Sequence, residues 1–166
     1  DTSPGAFYRR FKDKDALLHA LHERHCEEAY ATADYALEES RWEGASIPDI
    51  LNAVFPFLIQ ILHSNERLDR AILQRVMTDD DMRERQNQLG RYVVAGLTGL
   101  LLEREEEIRH LDPEHAISIA CIQALATLFY HHTVGTQAMS PVEITDDLLA
   151  RELANSFLAY LGIENA

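Results

Sequence analysis

From Pro113 to about Gln137 the chain is apolar on almost every side of a helix. Ile117, Ile119, Ala120, Cys121, Ile122, Leu125, Leu128, Phe129 and Tyr130 leave no clean polar stripe. A helix of this kind has to bury two faces, one in its own core and the other against a partner chain. The stretch from Ser46 to about His63 has the same character, with Leu51, Val54, Phe55, Phe57, Leu58, Ile61 and Leu62 on most of its sides. Glycine and proline number only 7 and 5 in 166 residues, there is no repeat, and Ala, Leu, Glu and Arg dominate. The expectation is an all-α fold with a sizeable core.

Caps mark most of the helix boundaries. Asp13 can cap a long helix from Lys14 to about Ser40, with Leu18, Leu21, Ala29, Ala33 and Ala36 at helical spacing, yielding near Trp42-Glu43-Gly44. Ser46 caps the next helix, with Pro48 just inside it. Pro56 falls mid-helix and predicts a kink, either opening space for a ligand or serving only as a packing bend. A shorter helix follows from Asn65-Glu66 to about Met77, and the acidic Asp79-Asp80-Asp81 favours the start of another. That helix is predicted to reach Ile108 with Met82, Leu89, Tyr92, Val93, Gly96, Leu97, Leu100 and Leu101 inward. Gly96 and Gly99 would admit a neighbouring backbone, and Glu103 to Glu107 reads as a solvated charge run. Asp112-Pro113-Glu114 opens the apolar helix described above, and the last runs from about Thr145 to Leu161, stopping at Gly162.

The first eighteen residues have a different design. Ser3 can cap a short helix with Pro4 at its first position, and Phe7 and Phe11 share one face. The opposite face carries Gly5, Ala6 and Arg9, flanked by Tyr8 and Arg10. Residues 9–14 are locally basic in a chain whose net charge is −13. The run Ser-Pro-Gly-Ala-Phe-Tyr-Arg-Arg-Phe-Lys-Asp-Lys-Asp-Ala-Leu-Leu resembles the end of the DNA-binding domain of TetR-family transcriptional regulators, with Ser3, Gly5, Tyr8, Phe11, Lys14 and Leu17 matching the family pattern in order. The match covers about residues 2–21; Asp1-Thr2 stands where family members usually carry Gly-Val.

The resemblance implies that residues 1–12 are the end of a helix-turn-helix, with its recognition helix at 3–11 and about forty residues of supporting helices ahead of it. Residues 13–166 would then be a helical ligand-binding and dimerisation domain. It further implies DNA contact by Ser3, Pro4, Gly5, Ala6, Tyr8, Arg9, Arg10 and Lys14, with Arg9 at base edges and Tyr8 and Lys14 on phosphate. In that family the last two helices pair with their copies. This agrees with the two-faced burial argued from composition and predicts a homodimer through Ile117, Cys121, Leu125, Leu128, Leu149, Leu153 and Phe157. The function expected is a ligand-responsive regulator, a repressor released from operator DNA by a small hydrophobic molecule. A helical interaction module without DNA contact is the alternative.

A pocket for that molecule is expected among the helices at about 47–63, 80–108 and 114–137, lined by Phe55, Leu58, Leu62, Met82, Gln86, Leu89, Tyr92, Phe129 and His132. Apolar walls with few polar groups favour an uncharged or weakly acidic hydrophobic compound. His22 and Cys26 are spaced like helical metal ligands, with His19 one turn earlier. No carboxylate or second cysteine completes a set, and a partly solvated face whose histidines touch neighbours is the favoured reading. No metal and no cofactor are expected. The sequence carries no phosphate loop, nucleophile elbow or repeated Glu-x-x-His pair, which argues against an enzyme. No apolar run approaches a membrane span, and two cysteines give no disulfide framework; a cytoplasmic setting is expected.

Overall fold

The computed structural model describes residues 11–135 and 140–164, apart from the side chains of 64–67. The described residues form helices and turns with no strand, so the chain is all-α. Among the described residues five α-helices carry the fold: α1 (Lys14–Leu37), α2 (Ile47–Val76), α3 (Asp80–Leu102), α4 (Pro113–Thr133) and α5 (Asp146–Leu161). Their starts follow local chemistry. Asp13 accepts from the Ala16 amide, Ser46 and Asp49 form a capping box, and Asp79, Asp112 and Thr145 accept from the amides of Met82, His115 and Leu148. The left-handed Gly162 ends α5 at φ 74°, which L side chains rarely adopt, so glycine is required there.

Two helices end earlier than expected, for local reasons, and a third expectation is met by a bend. The stretch expected as two helices is continuous as α2, but its arms Ile47–His63 and Leu68–Val76 lie at 91° to each other, so the boundary expected at Asn65-Glu66 is a sharp bend after His63, beyond Pro56. α3 ends at Leu102 rather than at Ile108, because the supposed charge run is structural. Arg104 donates to the carbonyls of Ala45, Trp42 and Leu100, and Glu107 accepts from the Ile47 amide at 3.1 Å. These bonds fold 103–107 into a turn that clamps the α1–α2 connection onto the end of α3. α4 stops at Thr133, where Val134 and the left-handed Gly135 (φ 88°) both donate to the Tyr130 carbonyl.

The core lies among the first arm of α2, the C-terminal half of α3, α4 and α5. Ile47, Ile50, Leu51, Leu101, Ile117 and Leu161 are sealed from solvent within it. α2 packs chiefly on α5, and α4 on α3 and α5. α1 stands apart, since its main neighbour is α3 and it has few contacts with α2. The partners climb together along these two helices. His19 meets Asp79, His22 meets Gln86, Asp34 meets Tyr92, and Leu37 lies where a Gly96 side chain would be. α1 and α3 therefore run parallel. Gly96 permits a close approach, since a Cβ there would meet Leu37 at 2.7 Å, whereas Gly99 has nothing within 4 Å and plays no such part.

Candidate ligand cavity

Between α1, α2, α3 and α4 lies a cavity of about 170 Å³. The α1 wall is made of small residues one turn apart, Ala29, Ala33 and Ala36, joined by Thr32 and Leu37. α2 contributes Val54, Phe55, Phe57, Leu58 and Ile61. Leu89, Val93, Val94 and Leu97 come from α3, Cys121, Ala124 and Leu125 from α4, and Phe157 from α5. Among the described residues, Thr32 and Cys121 supply the only side-chain oxygen and sulfur in this wall. The Thr32 hydroxyl donates to the Glu28 carbonyl at 2.8 Å, and burial pushes the Cys121 thiol up to about 12, so it stays protonated. An open groove of about 690 Å³ lies on the other side of Val94 and Leu125, between α3 and α4.

Of the residues expected to line a pocket, Phe55, Leu58 and Leu89 do so. Leu62 packs against the core without reaching the cavity, and Met82 is fully buried outside it. Gln86, Tyr92 and His132, the polar groups expected to orient a ligand, are all engaged elsewhere. Phe129 is 39 % exposed, turned away from the cavity. Sequence reasoning missed the α1 wall: the Ala29–Ala33–Ala36 spacing marked a close-packing helix face but not what that face meets.

Those three polar residues belong to a seam beside the cavity. Tyr92 donates to the Asp34 carboxylate and packs edge-on against Tyr30, with ring centroids 5.0 Å apart; the Asp34 bond holds its phenol above the usual range. His22 is fully buried, on a face where His19 and His25 stay partly exposed and all three touch neighbours, in keeping with the favoured reading. Its Nε2–H donates to Gln86 at 3.2 Å while its Nδ1 accepts from Arg85 at 3.2 Å. Burial lowers its pKa, the Gln86 bond opposes that, and the Arg85 charge adds to it. Cys26 lies 3.5 Å from the same ring. His132 is buried and donates to Asp69 at 3.0 Å, with His25 at 3.5 Å from the other carboxylate oxygen. Burial pushes the Asp69 carboxyl above the usual carboxylate range, against the pull of His25 and then His132. Among the described residues no group of His, Cys, Asp and Glu has the arrangement to hold a metal ion.

Most residues of the expected pairing face lie inside the single chain. Ile117, Cys121, Leu128, Leu149 and Phe157 are each at most 7 % exposed within the single chain, so they hold its own core and are not free to meet a partner. Leu125 faces the cavity and the groove, and Leu153 is half-buried beside Ala124. The outer side of α4 instead presents Ile119, Ile122, Ala126, Phe129 and Tyr130, with Tyr160 exposed on α5. Of the residues expected to contact DNA, Lys14 opens α1 and is exposed; Ser3, Pro4, Gly5, Ala6, Tyr8, Arg9 and Arg10 lie outside the described residues. No family model, curated protein or solved structure matches the chain.

Proposed function

We propose that the protein is a ligand-responsive DNA-binding transcriptional regulator of the TetR type, acting as a homodimer and as a repressor released by a small hydrophobic molecule. The observation that carries this reading is the position of α1. It starts at Lys14, directly after the segment that resembles a recognition helix, and its other end walls the cavity with Ala29, Ala33 and Ala36. A molecule in the cavity presses on the helix that leads to the DNA-reading end. It shifts the balance between two head positions only by its difference in affinity for them. The outer face of α4 supplies the two-fold partner surface, and a closed pair suits a palindromic site.

The test is selection of duplex DNA from a random pool by the protein carrying its complete helix-turn-helix. A palindromic site bound with strong salt dependence, and weakened about tenfold or more by a small hydrophobic compound, is the expected result. Failure to select any duplex would overturn the reading.

A further inference from the structure

We infer that the molecule taken by the cavity is a neutral, hydrocarbon-like compound no larger than about one aromatic ring, and that Val94 and Leu125 set this size limit. The inference names the effector class and rests on the proposed function only in calling that molecule an effector. Its grounds are size, chemistry and partition.

The volume of about 170 Å³ is far below the roughly 300–1,000 Å³ of pockets that take drug-sized ligands. In volume it is close to the ~150 Å³ apolar cavity that accepts benzene. Among the described residues the walls carry no charged side chain, and none of the described cations faces inward to replace the water a carboxylate would shed. Arg85 and His22, in the seam beside the cavity, are bonded to each other. Thr32 has spent its hydrogen on Glu28, which leaves only acceptor capacity, and the Cys121 thiol is neutral. The weakly acidic compounds admitted by sequence are therefore excluded. Val94 and Leu125 touch both the cavity and the much larger groove, so these two side chains are the wall between them. Shortening either joins the spaces.

The experiment is calorimetric titration and thermal shift of the 166-residue chain with toluene, benzoate and naphthalene, without DNA. Toluene should bind and raise Tm, and benzoate should bind about tenfold or more weakly, since its charge goes uncompensated. Leu125→Ala should gain naphthalene binding by about tenfold as the wall opens. Ala124→Met should fill the cavity and abolish toluene binding with helical content retained. Should that variant fail to fold, Ala33→Val makes the same comparison with a smaller intrusion. Benzoate binding as tightly as toluene, no binding of toluene, or a folded cavity-filling variant that binds toluene unchanged would overturn the inference. DNA release is read separately on the protein with its helix-turn-helix. Toluene bound without effect on DNA counts against the regulator alone, and release by a compound other than this class, with toluene unbound, counts against the ligand class alone.

Discussion

His22 shows how a buried side chain can make the molecule sensitive to acid. Its two nitrogens have complementary partners only when the ring is neutral: Nε2–H gives to Gln86 and Nδ1 takes from Arg85. A second proton on Nδ1 would remove the Arg85 bond and set two cations side by side, with His19 and His25 adding like charge. The folded pKa is lowered from 6.5, so the unfolded chain takes up the proton first as pH falls. Stability is therefore complete above pH 6.5 and is lost as pH drops from there toward the folded pKa. Tm followed from pH 7.5 to 5 should fall, and His22→Gln, which cannot titrate, should flatten that slope. An equally steep fall in the variant would place the sensitivity elsewhere, with the His25–Asp69–His132 contact as the next place to look.

At the scale of the elements, the loop after α3 holds more of the fold than its composition declares. Arg104 bonds three carbonyls from two segments, and its side chain is 13 % exposed. Arg104→Met keeps the apolar stem but strands those acceptors, and should cost about 2–3 kcal/mol in a denaturant titration, since charged hydrogen bonds are worth more than neutral ones. A loss below about 0.5 kcal/mol would mean that water replaces the guanidinium freely. The contrast with the caps explains what was legible in the chain. Asp13, Ser46 and Asp112 act on amides three residues away, or at most a turn, so sequence exposes them. Tyr92, Gln86 and His132 are placed by partners 58, 64 and 63 residues distant, and nothing local says which way they turn. The cavity was legible as a site between apolar helices. Its α1 wall was not, because alanines at helical spacing are compatible with any close packing.

For the whole molecule, the division between core and outer face of α4 changes which substitutions test assembly. Leu128→Glu or Phe157→Glu would place a carboxylate in positions only 2 % and 3 % exposed, and should unfold the chain. Ile122→Glu sits at 59 % exposure, so the proposed dimer should dissociate in sedimentation while circular dichroism stays that of the parent. If Ile122→Glu leaves the oligomer intact, the partner surface is not the outer side of α4.

The parallel course of α1 and α3 also sets an order of events. Two parallel helices cannot be joined by a short turn, and here α2 must carry the chain back before the seam can form. The bonds His19–Asp79 and His22–Gln86 span 60 and 64 residues. Their closure entropy is met only after α2 is in place, and α1 brings few contacts with α2 to help. α1 should consequently be the last helix to dock and the first to detach. Native-state hydrogen exchange would reveal this as α1 amides opening at a lower free energy than those of α4 and α5. Equal protection throughout would mean that the seam opens only with the whole fold. With early detachment, a ligand seated beneath Ala33 acts as a clasp: the amides of α1 should slow on binding, while those of the core keep their rates.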